Sequence, residues 1–365
     1  MSTLRRVRTL AATIAATVLV SACSGAVGSG ASSGERIDDP DALPQAGALP
    51  IAAAAGDTLV MVSNPMGADA RDRSAAAARD GDGVWHTAPP APLAGSRALG
   101  STGDSVVLLG ADEEGDTMSA HRWSPGDDDW HRIDWADAPS VGVDVGVVLV
   151  GSAAGRSVFA THGGMIVVGE EGAVEDIPDT DVRGDRTRRI AGRCVSDGRI
   201  WEASSPLDVA APVPGLFTHA WTNGPVVLRT YSMEGGTWSG APLPPGGIAE
   251  VAPAMSCLPD GPVVLTDHAE HTYDADTEQW RTVPLERPLP VGRGGQVALG
   301  GGTDVAWAQD GSASFVDPLS GTVLRRTAAG NWAPTATNAA GVVAVGDDVV
   351  GFRRGEVGAF DLPSA

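Results

Sequence analysis

The chain has no lysine: its 25 basic residues are all arginine, set against 46 aspartates and glutamates. The resulting net charge of −21 repels phosphate backbones, so no nucleic acid is expected as a partner. It repels an anionic lipid surface in the same way. Long apolar runs are scarce, and beyond the first two dozen residues none is long enough to cross a bilayer as a helix. From residue 45 onward amphipathic helical periodicity is almost absent. Only two tyrosines occur, Tyr231 and Tyr273, and no ligand set for a copper site with tyrosine and histidine forms around them. No serine-hydrolase elbow joins a strand to a helix. Asp80-Gly81-Asp82-Gly83 begins like a calcium loop but fails at Val84 and lacks the distal glutamate. His268 and His271 fall at an expected turn, where they cannot share a helical face for zinc. No cofactor or metal site is expected.

What the N-terminus does contain is ordered. Arg5, Arg6 and Arg8 precede an apolar stretch from Leu10 to Val20, and Leu19-Val20-Ser21-Ala22-Cys23 follows. The last five residues resemble the lipobox of bacterial lipoproteins. That resemblance implies a signal peptide over residues 1–22, acylation of Cys23, and a mature chain lipid-anchored at the outer face of the cytoplasmic membrane. Removing 1–22 takes away three arginines and no acids, so the net charge moves from −21 to −24. Contact with the membrane is then expected through the lipid alone, by more than one acyl chain. Residues 23–35 carry the lipidated cysteine and a small, polar, flexible tether, leaving 36–365 as the folded domain.

The remaining sequence is rich in short β-prone runs: DTLVMV, DSVVLLG, GMIVVG, GPVVLR, GPVVLTD, GVVAVG. Glycine, aspartate and proline clusters separate them, which predicts an all-β sandwich, barrel or propeller. A weak repeat selects among these. Tyr273 is followed by an aspartate-rich turn and Trp280, and Trp123 by a similar turn and Trp130; SFVDPLSGTVLRR at 314–326 aligns with both. This pattern resembles the third strand, turn and fourth strand of a kelch repeat, as in kelch and galactose-oxidase-like β-propellers. The double glycine of true kelch repeats is mostly missing. Trp85 and Trp130 are 45 residues apart and Trp238 and Trp280 are 42 apart, the size of one blade. Residues 337–362 supply three strands, and Arg36 to Pro44 is expected to add the missing outer one and close the ring. The expectation is a seven-bladed propeller, with six or eight blades as alternatives.

Cys194 and Cys257 stand in the same C-x-x-D-G pattern, which puts both on innermost strands of consecutive blades. A disulfide is expected in an oxidising compartment, with two buried free thiols as the alternative. Two segments of one enlarged blade are candidates for binding. Phe217, His219 and Trp221 alternate, so a strand would show them on one face; Arg183, Arg186, Arg188 and Arg189 cluster, with Arg193, on the connection entering that blade. Both should lie on one side of the ring. The alternatives are a hairpin packed on its own blade, and local neutralisation of nearby acids. The sequence predicts a non-enzymatic, extracytoplasmic binding or interaction module presenting loops to a protein or envelope glycan. The alternative is a glycan-acting, sialidase-like enzyme with its site at the channel mouth. Ser232 to Trp238 approaches an Asp-box turn of sialidases but is one residue short.

Overall fold

The structure, a computed structural model, describes residues 36–37, 50–63, 74–92, 94–112, 117–139, 146–161, 164–178, 188–196, 198–212, 219–223, 226–248, 254–289, 305–308, 312–317, 320–326, 331–336, 338–346, 348–353 and 359–362. Ser32–Ala365 form one compact unit. Every regular element described in it is a strand, and the strands make seven antiparallel sheets. In each sheet the chain meanders outward from a first, innermost strand. These innermost strands are Ile51–Ala55, Ala94–Ser101, Val148–Ala153, Arg188–Ser196, Ala254–Leu258, Val305–Trp307 and Gly341–Val345. Each touches the first strands of its two neighbours, and the last touches the first. The sheets therefore stand around an axis as a β-propeller.

The apolar runs become strands of this kind because both faces of each sheet are buried. Val106–Ala111 and Gly261–Leu265 are buried at every position. Alternation divides them: Val106 and Leu108 enter the core shared with the first sheet, Val107 and Leu109 the one shared with the third. Seven such cores result, one for each seam. The tryptophans of the repeat finish the seams from outside. Trp130 and Trp280 each donate an indole N–H, at 2.9 Å, to a proline carbonyl of the preceding sheet, Pro89 and Pro242. Behind them Trp123 stacks on Trp130, Tyr231 on Trp238 and Tyr273 on Trp280, at 6.1, 5.3 and 5.1 Å. Cys194 and Cys257 form a disulfide between the innermost strands of the fourth and fifth sheets, with Cα atoms 5.4 Å apart.

Three expectations need correction. Six sheets carry at least the four strands of a full blade; the last, Gly341–Val345, Asp348–Phe352 and Ala359–Asp361, carries three among the described residues. Arg36–Ile37 does not supply its fourth, and residues 38–44 lie outside the described residues. Arg36–Ile37 instead pairs with Trp85 and His86, on the open outer edge of the first sheet. Second, 314–326 was aligned one strand too far out: Ala313–Val316 and Val323–Arg326 are the second and third strands of the sixth sheet, and Trp332–Ala336 is the fourth. The aspartate turn alone could not set the phase, because it occurs between either pair. Third, His271 is not a solvated turn residue. It lies in Ala269–Asp274, is buried, and bonds Thr282 at 3.0 Å.

What closes the ring is packing. Val350 and Phe352 of the last sheet join Ala52, Leu59, Met61 and Ala77 of the first in one core. Gly341 lets Phe352 in: a Cβ there would stand 2.3 Å from the ring's Cζ. Arg79 forks onto Asp361 at 2.8 and 3.1 Å, an exposed pair that adds little. Phe352→Ala should therefore lower stability by about 3–5 kcal/mol, read from urea unfolding, whereas Asp361→Ala should change it by less than about 1 kcal/mol. Equal effects would mean that the closing seam is not held by its apolar core.

Candidate functional site

The innermost strands leave one backbone edge facing the axis, and their side chains are small: Ala52 to Ala55, Gly151, Ala306 and Ala344 among them. Small residues let seven strands converge and keep the axis open. A cavity of about 520 Å³ occupies it, touched by the first strands of all seven sheets. Its wall mixes apolar groups, among them Met255 and the Cys194–Cys257 bridge, with three serines and the polar backbone of the inner strands. It opens at the turns that follow the first strands, where Gly56, Asp104, Gly155 and Gly346 line it. Asp104 is the one ionisable side chain among the described lining residues. A glycosidase mechanism uses two carboxyl groups facing one another, and the described wall presents one. Among the described residues no group of three His, Cys, Asp or Glu side chains gathers for a metal.

The other buried charges lie in the seams. Glu202, fully buried, accepts from Arg193 Nε at 2.8 Å and Arg229 Nε at 2.9 Å; the three face one another across adjacent strands. Arg229 also lies 4.0 Å over the Trp238 ring. Arg229 is thus engaged by Glu202 and Trp238, and Tyr231 packs against Trp238. Glu270 is gripped by Arg326 at 2.9 and 3.1 Å between the fifth and sixth sheets. Arg97 is buried in the second sheet, and burial lowers its pKa to about 10. Sequence reading missed these pairs, since partners such as Glu270 and Arg326 are 56 residues apart.

The predicted binding residues divide between described and undescribed positions. Cys23, Arg183, Arg186 and Phe217 lie outside the described residues. Arg188 and Arg189 open the innermost strand of the fourth sheet and pair with Pro206 and Ser205. Beyond that point the second strand, Arg199–Pro212, runs on and pairs with His219–Asn223 as a hairpin arm, Trp221 opposite Val209 and His219 opposite Pro212. The arginine strand and the aromatic arm therefore meet at the arm's base. Three large apolar side chains are exposed among the described residues: Val148, Val227 and Leu243. All three lie on the third and fourth sheets at the end from which the arm projects, opposite the inner hairpin turns.

No protein-family model matches the chain, and no curated protein matches it. Solved structures share its fold. A serine-to-alanine variant of a puromycin hydrolase, complexed with PGG, superposes with a TM-score of 0.50 at 18% identity, over 83% of this chain and 50% of that one. A puromycin-hydrolyzing peptidase of Mycobacterium tuberculosis gives 0.49 at 13% identity, over 86% and 49%. A catalytically inactive virginiamycin B lyase of Staphylococcus aureus with quinupristin gives 0.46 at 8% identity, over 88% and 95%. The chain spans about half the length of the two hydrolases. The likeness is one of fold, a β-propeller.

One titratable group makes the scaffold sensitive to pH. His121 sits between strands with Nε2 at 3.0 Å from Ser119 Oγ. Burial and then the charge of Arg132 lower its pKa from 6.5 to about 4, against a small opposing pull from Asp129. The unfolded chain takes up this proton first. His121 thus contributes stability that is complete above about pH 6.5 and is lost by about pH 4, roughly 3 kcal/mol at most. His121→Gln should unfold in urea with a smaller loss of stability between pH 7 and pH 4 than the wild type. Parallel pH profiles for the two would remove His121 from the account.

Proposed function

We propose that the chain is a lipid-anchored, non-enzymatic binding module at the outer face of the cytoplasmic membrane. Its working surface is the arm side of the third and fourth sheets, and it engages a protein or an envelope glycan. One observation carries this reading: Val148, Val227 and Leu243, the large apolar side chains exposed among the described residues, all stand at the arm end of the third and fourth sheets. Exposed apolar side chains that share one end of the ring favour contact at that end. The placing of Arg188 and Arg189 on the strand next to the arm's base supports it, since arginine and aromatic residues are enriched in contact hot spots. The arrangement of residues before Cys23 supports the anchor. The aromatic–tryptophan pairs of the second, fourth and fifth sheets support a kelch-like origin for the repeat.

Two measurements test the two halves separately. Cys23→Ala should shift the protein from the membrane fraction to the medium, or leave it uncleaved. If the variant stays membrane-bound at the mature mass, the anchor is not at Cys23. Joint replacement of Arg186, Arg189, Phe217 and Trp221 by alanine, in a protein that keeps its unfolding midpoint, should abolish the cross-links formed in the native envelope. An unchanged cross-link pattern would move the contact surface elsewhere.

A further inference from the structure

Each seam of the ring is joined by packing, and one is joined by a covalent bond as well. Cys194–Cys257 links the innermost strands of the fourth and fifth sheets, and the only other cysteine of the chain is Cys23. The bridged residues are 63 positions apart. Between them the chain holds the second to fourth strands of the fourth sheet and the whole arm. The bridge therefore closes a loop around the arm-bearing sheet. It sits at the inner end of the seam; at the outer end the Trp280 indole donates to the Pro242 carbonyl at 2.9 Å.

Two features make this bridge reachable in the folded chain. Both cysteines line the axial cavity, whose volume of about 520 Å³ admits a small molecule and not a protein. Their exposure differs. Cys194 is 4% exposed and belongs to the core of the seam with Trp201 and Tyr273. Cys257 is only partly buried and packs at the margin of that core. Thiol–disulfide exchange depends on access to the sulfur under attack, so the two ends of the bridge are not equivalent.

We infer that Cys194–Cys257 is a redox-sensitive latch on the arm-bearing sheet, opened by a low-molecular-weight thiol that enters the axial cavity and attacks Cys257. The thiolate sulfur bonds Cys257 Sγ as the Sγ–Sγ bond breaks, and Cys194 leaves as a thiolate. A second thiol attacks the adduct's own sulfur and releases Cys257 as a thiolate. The protons of the two thiols end on the two cysteines, two electrons pass to the bridge, and the thiols leave as their disulfide. The ring survives, because Met255, Val264, Trp201 and Tyr273 still share one core and Trp280 keeps its bond. What is lost is the constraint on the loop, so the fourth sheet loosens from its inner edge outward. The latch does not depend on what the arm binds.

The full chain, kept folded at neutral pH, is treated with dithiothreitol, alkylated and weighed by mass spectrometry. The rate of opening should rise in proportion to dithiol concentration. About 1 M urea, which multiplies a global opening equilibrium about fivefold or more, should change that rate by less than about twofold. Thioredoxin with its reductase cannot enter the cavity and should leave the bridge closed over the same period. Trp201, fully buried, faces Cys194 across the strands, and a disulfide quenches a neighbouring indole. Its fluorescence should rise on opening, and Trp201→Phe should remove most of the rise. Amide exchange should then quicken at least about fivefold in Val227–Ser232 and stay unchanged in Val106–Ala111 of the second sheet. Toward dithiodipyridine, Cys257 in Cys194→Ser should react at least about tenfold faster than Cys194 in Cys257→Ser. A rate that ignores dithiol concentration or follows urea, opening by thioredoxin, faster reaction at Cys194, or exchange that quickens equally in both sheets would each overturn the latch. The wild-type kinetics decide the matter even if a variant fails to fold.

Discussion

Every sheet in this ring must bury both of its faces, and only its neighbours can cover them. That constraint fixes most of the rest. A strand buried on two sides reads as an unbroken apolar run, which is why VVLLGA and GPVVL carry no polar residue. The requirement cannot be met at the ends of an open stack, so the first and last sheets must meet. They do so through Phe352 and Val350 against Leu59 and Met61, with no strand exchanged between them among the described residues. Closure then depends on shape complementarity at one seam. The absence of a side chain at Gly341 matters as much as the presence of the Phe352 ring.

The same constraint explains where charge is tolerated inside. A carboxylate facing a seam has no water, and it persists only with partners supplied across strands or across sheets. Glu202 takes two arginines from its own sheet, and Glu270 takes one from the next. Removing Arg326 would leave Glu270 desolvated without this partner, a larger penalty than the pair's net worth. These clusters tie neighbouring strands into one register. The Glu202 group lies in the sheet from which the arm projects, and the Glu270–Arg326 pair joins the fifth sheet to the sixth.

The fold class was legible because it rests on local signals: short apolar runs, aspartate turns, and an aromatic seven residues before a tryptophan. Those signals placed the fourth and fifth sheets and the Cys194–Cys257 bridge, since two copies of C-x-x-D-G mark equivalent turns. They fail at the sixth sheet, whose fourth strand opens on Trp332 but has Arg325 instead of an aromatic seven residues before it, and the alignment there is off by one strand. They failed again at Arg36–Ile37, because a strand of two residues holds no information about which open edge it will find. The arm was legible as an insertion. The exposed Val148 and Leu243 were not, since neither is near the arm in sequence and only the ring brings them to one side.

A propeller gives its two sides different materials. On one side lie only the tight turns after the first and third strands, which need glycine and aspartate for their conformation. That side becomes acidic as a by-product of turn chemistry, and it surrounds the axis. On the other side lie the connections between second and third strands and between sheets, which are free to lengthen. The fourth sheet uses that freedom: its second strand runs to 14 residues where those of the first, third and fifth sheets have five. The lengthened connections and the axial opening are therefore separated by the thickness of the ring. A change in the arm leaves the axial rim untouched, because the innermost strands that form the rim are fixed by the seams on either side.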